Sequence, residues 1–515
     1  MTYVFKNNML IIYSAEHETI FAYNLLKYIV KQRFQQIIEG LKFMNVIGRE
    51  REKDIISKCL ESKRPEFLVV YGRRRVGKTY LIREFFNEKF SFYTTGIPNQ
   101  RTRNQLKAFN EALSNYGDET GIIPSDWFEA FRRLRKILES KSVYKDTLSG
   151  KKIVFIDEAP WMDTARSDFK SAFDYFWNSW GSSQEDLLLI VCGSATSWII
   201  SNILNDRGGF HNRITKQMHI NPFTMGECKR FYEDNGINLN RDQMIESYMI
   251  FGGIPYYLNL LDSRLSLTQN IDSLIFDERG DLHYEYDQLF KSLFKKPDNH
   301  VKIIETIAGQ KRGLQRTDLV EKSGVSDGEG LTKALRELEQ CGFIRQYKNI
   351  TTSINGCFYQ VIDPFVLFCL YFRNGKIKSW QSFIKSPDYY AWRGNAFETV
   401  CLGHIPQIKA ALGITGIESS EYSWKSKKKK GGAQIDLLID RRDEVINLCE
   451  MKCTDKPYEI TEENRENLIN MVVSFTEELN LKKSIHVTLI TSNGYKHNEY
   501  SDVVQNDVEP DWLFT

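Results

Sequence analysis

The 515-residue chain has no C-x-x-C pair; its nine cysteines are scattered singly. That spacing argues against a disulfide framework or a zinc site and for reduced thiols in a cytoplasm. No apolar run reaches the roughly 18 residues needed to cross a bilayer, so no membrane partner is expected. Met9 to Ile12 is apolar but short and lacks a basic leader, unlike a secretory signal. Net charge is also small: 69 Lys and Arg against 67 Asp and Glu leave +2, so the whole chain is no polycation. Any nucleic-acid contact must therefore come from local patches. There is no internal repeat, and nothing resembles the pore loop of a remodelling chaperone.

What is present is ordinary globular material, 42% hydrophobic and 26% charged, long enough for about three domains. Residues 1–43 have no assignable role; Ala22 to Leu41 reads as a helix with mixed faces, and Met44 is an alternative start. Residues 44–265 alternate short apolar runs with longer helical patterns. The runs Phe67 to Tyr71, Ile153 to Ile156 and Leu187 to Cys192 read as parallel strands buried on both faces, hence α/β architecture. Residues 266–385 are mostly helical. Within them Val301, Ile303, Ile304 and Ile307 repeat at helical spacing. Two further helices, Arg316 to Ser323 and Gly330 to Gln340, lead into Gly342 to Arg345, the start of a wing if this is a winged helix. A plain helical packing unit is the other option. Residues 386–515 return to α/β, with a basic run from Lys425 to Lys430 that is either a phosphate grip or a solvated loop.

Gly72-Arg73-Arg74-Arg75-Val76-Gly77-Lys78-Thr79 fits G-x-x-x-x-G-K-[ST] in full, between an expected strand and an expected helix. In such a loop successive backbone N–H groups point at phosphates, and the helix N-terminus adds positive charge. Lys78 would reach the β and γ phosphates, and the Thr79 hydroxyl would ligate Mg²⁺. Asp157 and Glu158 end the strand that starts at Lys151. Asp157 can hold the metal through water, and Glu158 can polarise the attacking water. Ser194, after the run ending at Cys192, is placed to sense the γ-phosphate or to make an ordinary turn. Arg213 is either a source of transition-state charge or a surface arginine.

Taken in order, Ile47-Gly-Arg-Glu-Arg-Glu52, the phosphate loop, Asp157-Glu158, Gly193-Ser194 and Gly252-Gly253-Ile254-Pro255 resemble the archaeal-type ATPase family of the STAND and AAA+ superfamilies. The resemblance covers about 44–265. It implies that Val46, Ile47 and Gly48 lie by the adenine, that the segment ending at Pro255 approaches the nucleotide from a lid, and that Glu158 is the catalytic glutamate. One departure is that no second-sensor arginine stands beside Pro255, which leaves hydrolysis rate and lid geometry open.

Farther on, Ile435 to Asp440 and Val445 to Cys449 flank Arg441 to Glu444, a hairpin turn. If it centres on Asp443, Asp436 lies opposite Glu450, and Lys452 points to the same face. Two carboxylates can hold Mg²⁺ and so activate a water, with Lys452 orienting it or offsetting charge. This resembles the PD-(D/E)XK nuclease fold, and Glu398 stands where such domains place an acid. A silent nuclease-like fold and a coincidental salt-bridge face are the alternatives.

The expected fold is thus a P-loop parallel-sheet ATPase domain, a helical lid with a winged-helix middle, and a C-terminal α/β restriction-endonuclease-like domain. The expected function is an ATPase using ATP and Mg²⁺, coupled to a Mg²⁺-dependent nuclease-like domain on DNA. The alternative is a regulatory or signalling switch whose C-terminal domain binds a partner or nucleic acid without cutting. Homo-oligomerisation is left open.

Overall fold

In a parallel sheet covered on both faces, neighbouring residues of a strand feed opposite cores, so every position is apolar. The computed structural model, which describes residues 2–6, 9–13 and 46–515 except 195, 206–209, 211–212, 295, 311–312, 351–356, 373–376 and 427–432, has such a sheet. The expected leader helix from Ala22 to Leu41 and most of the Lys425 to Lys430 run lie outside the described residues. After a two-stranded hairpin, β1 (Thr2–Lys6) and β2 (Met9–Tyr13), come α1 (Glu50–Glu61), β3 (Glu66–Tyr71), α2 (Lys78–Phe85), β4 (Phe92–Thr95), α3 (Thr102–Asn115) and α4 (Trp127–Glu139). Then follow β5 (Lys152–Asp157), α5 (Phe169–Ser179), β6 (Leu187–Gly193), the one-turn α6 (Thr196–Ile199) and β7 (Lys216–His219).

The five strands pair in parallel in the order β4-β5-β6-β3-β7. Leu68, Val70, Ile153, Phe155, Leu188 and Ile190 enter one core with Ile56, Leu81 and Phe85. Phe67, Val69, Val154, Ile156, Leu187 and Leu189 enter the other with Phe109, Phe131 and Trp177. Helix starts are set locally: the Asp126 carboxylate accepts the Glu129 N–H at 2.9 Å and opens α4.

The lid comprises α7 (Met225–Asp234), α8 (Arg241–Phe251), α9 (Pro255–Leu258) and α10 (Leu267–Ile271). Thr224 and Glu227 close a capping box at the start of α7, and Asn240 and Gln243 another at α8. The middle unit runs α11 (Glu285–Leu293), α12 (Asp298–Ala308), β8 (Leu314–Gln315), α13 (Arg316–Ser323), α14 (Glu329–Gln340), β9 (Ile344–Asn349) and β10 (Cys357–Val361). Ile303, Ile304, Ile307, Leu319, Leu335 and Leu338 form its own core, which accounts for the helical spacing seen in the sequence.

Four helices lead onward: α15 (Pro364–Phe372), α16 (Trp380–Phe383), α17 (Pro387–Gly403) and α18 (Ile405–Ala411). Then come β11 (Ser419–Lys425), β12 (Gln434–Arg441), β13 (Val445–Lys452), α19 (Glu462–Leu479), β14 (Ser484–Thr491) and β15 (Asn506–Val508). These strands join those of the middle unit in one mixed sheet, ordered β15-β14-β13-β12-β11-β9-β10-β8. The seam is a parallel pairing of β11 with β9, Tyr422 opposite Lys348 and Ser423 opposite Asn349. The sheet therefore crosses the expected boundary at 385. So does the core: α8 packs between α15 and α17, and Trp380, Phe397, Leu437 and Leu513 join the same apolar cluster as Leu68. No helix among the described residues is long and apolar enough to cross a membrane.

Trp177 is 2% exposed and packs on Phe67, 5.0 Å between ring centroids. Trp177→Ala is expected to destabilise the chain by about 3–5 kcal/mol, read as a lower midpoint in chemical denaturation.

Candidate functional site

Strands β5, β6 and β3 lie side by side and parallel, so Asp157, Gly193 and Tyr71 end on one edge, where open α/β sheets bind ligands. The loop from Gly72 to Thr79 leaves that edge and enters α2. Gly72 has φ 144°, and a Cβ there would stand 2.3 Å from the Ile220 carbonyl oxygen, so only glycine fits. Lys78 Nζ donates to the carbonyls of Gly72 at 2.9 Å and Arg73 at 2.8 Å. Thr79 Oγ1 donates to Asp157 Oδ2 at 2.8 Å.

Asp157 Oδ1 accepts the Glu158 N–H at 3.0 Å. Burial pushes the Asp157 carboxyl above its ordinary value, Glu158 adds to this, and bonds from Thr79 and Cys192 oppose it. Glu158 sits in the left-handed region at φ 45°, a conformation costly for a side-chain-bearing residue. Its Oε2 accepts from Ser194 Oγ at 3.0 Å and Ser194 N at 3.2 Å. Lys78, Thr79, Asp157, Glu158 and Ser194 thus converge. Tyr71 and His219, ending neighbouring strands, stack with centroids 5.0 Å apart; burial and the nearby Lys78 push the imidazole pKa down.

The flanking segments also reach the loop. Gly48 has φ 63°, and a Cβ there would come within 2.6 Å of Glu227 Oε1. That oxygen accepts the Arg49 N–H at 2.8 Å, while Arg49 Nη2 donates to the Val76 carbonyl at 3.0 Å and Nη1 to the Asn221 carbonyl at 2.8 Å. Val46 is buried, its carbonyl accepting from Lys53 Nζ at 2.7 Å, and Ile47 packs on the same core. Pro255 opens α9, and the next N–H, of Tyr256, donates to the Arg75 carbonyl at 3.4 Å. The loop arginines separate. Arg74 is exposed. Arg75 lies over the Tyr256 ring at 4.3 Å and pairs with Glu285, which also accepts the Tyr257 hydroxyl at 2.9 Å. Arg73 is buried, pairs with Asp363 and lies 4.8 Å over Phe343. Arg213 is exposed and joins none of these bonds. Glu285 and Asp363 were not foreseen from the sequence, and Arg49 was given no role although it lies in the Ile47 to Glu52 segment; for the two acids, three successive arginines inside the loop were the available signal.

A second cluster lies on the mixed sheet. The β12–β13 ladder runs from Asp440 opposite Ile446 to Leu437 opposite Cys449, so Asp436 and Glu450 occupy the next opposed position. Lys452 Nζ pairs with Glu450 Oε1 at 2.7 Å. Burial works against the Lys452 ammonium, but Glu450, Tyr458 and Glu398 outweigh it and hold its pKa above the ordinary lysine value. Asp436 accepts from Gln434 Nε2 and lies within electrostatic reach of Arg345 on β9. Glu398, on α17, shares a cavity wall with Asp436. Among the described residues no group of three or more His, Cys, Asp or Glu stands close enough to hold a metal ion.

Residues 46–261 match a family described as an ATPase domain predominantly from Archaea. An uncharacterized protein of Methanocaldococcus jannaschii is 27% identical over 330 residues, 64% of this chain and 68% of that protein. Among solved structures, the Walker-type ATPase PABY2304 of Pyrococcus abyssi aligns over 64% of this chain and 97% of its own, at 20% identity and a TM-score of 0.45. The Aeropyrum pernix ORC2 protein, solved as ADPNP-ADP complexes, aligns over 67% and 98%, at 13% identity and a TM-score of 0.41. The chain carries an ATPase domain of the archaeal, P-loop type.

The raised Asp157 carboxyl gives a signed prediction. Between its unfolded and folded pKa values the folded state binds more protons, so this group's contribution to stability falls as pH rises through the folded value. Asp157→Asn is expected to raise the melting temperature of nucleotide-free protein at neutral pH while weakening Mg²⁺-dependent nucleotide binding. A variant that is less stable and binds normally would reverse the assignment.

Proposed function

We propose that this chain binds ATP with Mg²⁺, hydrolyses it, and couples its nucleotide state to a Mg²⁺-dependent nuclease-like domain acting on DNA. The observation that carries the ATPase part is the Thr79–Asp157 hydrogen bond beside a Glu158 whose carboxylate is fixed by Ser194. The loop amides from Gly72 to Val76 hold the phosphates, and Lys78 turns from two carbonyls to them. Thr79 and Asp157 hold Mg²⁺, which when bound neutralises charge developing on the phosphates. Glu158 takes a proton from the water that attacks the γ-phosphorus as the bond to the bridging oxygen breaks. Val46, Ile47 and Gly48 flank the adenine, Pro255 closes from the lid, and Arg213 lends charge if the lid brings it in.

The units we assign are 44–265, 266–385 and 386–515. The order α12, β8, α13, α14, β9, β10 is that of a winged helix, to which we assign DNA docking. Asp436, Glu450 and Glu398 are the Mg²⁺ ligands proposed for the C-terminal domain, with Lys452 orienting the water; as placed they stand too far apart to share one ion, so the proposal requires them to draw together on binding. Cys59, Cys192, Cys228, Cys341, Cys401 and Cys449 are buried thiols, in keeping with a cytoplasmic setting. A second reading, a nucleotide switch that does not cut, is favoured by Glu450 being engaged by Lys452 and Asp436 by Gln434.

Lys78→Ala is expected to weaken nucleotide affinity about 10- to 100-fold, measured by calorimetry. Glu158→Gln should keep binding while slowing phosphate release about 10²–10⁴-fold. Full turnover in either variant removes the roles given to Lys78 and Glu158. For the C-terminal site, Mg²⁺-dependent cleavage of plasmid DNA by the parent should vanish in Asp436→Ala and Lys452→Ala. Equal cleavage by all three, or by none, leaves the non-cutting switch.

A further inference from the structure

One helix, α15, touches both candidate sites. Asp363 caps its first turn, accepting the Val366 N–H on Oδ1 at 2.8 Å, and presents its other oxygen to Arg73. Both side chains of that pair are nearly excluded from solvent, at 4% and 3% exposure. Arg73 Nε and Nη2 are buried and make no well-formed hydrogen bond among the described residues, with the Tyr257 hydroxyl beside the guanidinium. The carbonyl of the same residue is one of the two that Lys78 Nζ holds. Farther along α15, Pro364, Leu367, Phe368 and Tyr371 line a cavity of about 880 Å³ whose walls also carry Glu398 and Asp436. A cavity of that size takes a nucleotide-sized molecule, not a duplex.

We propose that Arg73 and Asp363 form a nucleotide-sensitive clasp that holds α15 across the Glu398–Asp436 site, so that phosphate capture in the loop sets access to those carboxylates. The proposal rests on the nucleotide and nuclease roles given above. Lys78 has one ammonium. When it turns to a phosphate it drops the Arg73 carbonyl, and the peptide that carries the Arg73 side chain is free to turn. The guanidinium nitrogens not turned to Asp363 are donors of the kind that grip phosphate oxygens bidentately. A buried ion pair tolerates little displacement, because neither charge has water to fall back on. Drawing Arg73 toward phosphate therefore strips Asp363 of its partner and loosens the start of α15.

The test uses the full chain with a non-hydrolysable ATP analogue and Mg²⁺. Hydrogen exchange is read in residues 364–372 and nucleotide binding by calorimetry, with Mg²⁺-dependent DNA cleavage measured in parallel. In the parent, saturating analogue is expected to speed exchange of 364–372 about tenfold or more. In Asp363→Asn that segment should exchange fast without nucleotide and respond no further, while the analogue still binds. Exchange in the parent that does not respond to bound analogue overturns the clasp; this arm needs no variant, so misfolding of Asp363→Asn cannot shelter the idea. An Asp363→Asn protein that responds as the parent does also overturns it. A parent that binds no analogue overturns the clasp and the ATPase reading together. An exchange response without cleavage by any protein upholds the clasp and removes the nuclease role alone. Cleavage that needs nucleotide in the parent but not in Asp363→Asn upholds both.

Discussion

The contact between Thr79 and Asp157 depends on three parallel strands ending at the same edge. Thr79 follows β3, Asp157 ends β5, and β6 lies between them carrying Ser194 just past its end. Nothing in the loop alone could bring a hydroxyl, two carboxylates and an ammonium to one point. The sheet does so because both its faces are covered, which keeps the strands in register and dry. That dryness has a consequence for Asp157: its ionised form is disfavoured by burial, and the Thr79 hydroxyl compensates only in part. The ionised site is therefore less comfortable empty of cations than a surface carboxylate would be.

The loop faces two ways. Lys78 folds back on the loop's own carbonyls at Gly72 and Arg73, while the side chains of Arg73 and Arg75 reach outward, to Asp363 and Glu285. Those acids open α15 and α11, which belong to parts of the chain far from the loop in sequence. Removing one partner of a buried pair such as Arg73–Asp363 costs about 3–5 kcal/mol, because the other charge is left without water or partner. The lid contributes a further tie, from the Tyr256 N–H to the Arg75 carbonyl. The loop is thus tied to the lid and the middle unit by contacts already in place.

The parts legible in the sequence were those written in consecutive residues. The phosphate loop, the apolar strands, the Asp157-Glu158 exit and the hairpin centred on Asp443 all follow from local pattern, since periodicity and turn chemistry act over a few residues. Arg49, Asp363 and Glu285 were not legible, because an arginine or a carboxylate reads as a solvated charge until its partner is known. Nor was the merger of two units into one sheet. Tyr422 opposite Lys348 is a pairing of backbone with backbone, and nothing in either side chain announces it. The return of Leu513 to the core beside the lid was hidden for the same reason.

That merger changes what the C-terminal unit is. Cut at 386, it would lose β9 as the neighbour of β11 and expose a row of unpaired backbone groups, a template for aggregation. It would also lose α8 and α15 from against α17, uncovering Trp392, which is 5% exposed in the whole chain. Its remaining core, built on Trp424, Leu438, Leu448 and Phe475, is one of the smaller clusters. A fragment with so little interior of its own leans on its neighbours for stability. The carboxylates on β12 and β13 are then best regarded as belonging to the whole chain. The strand that carries Asp436 lies between β11 and β13, β11 in turn pairs with β9 of the middle unit, and that unit is tied to the phosphate loop through Glu285.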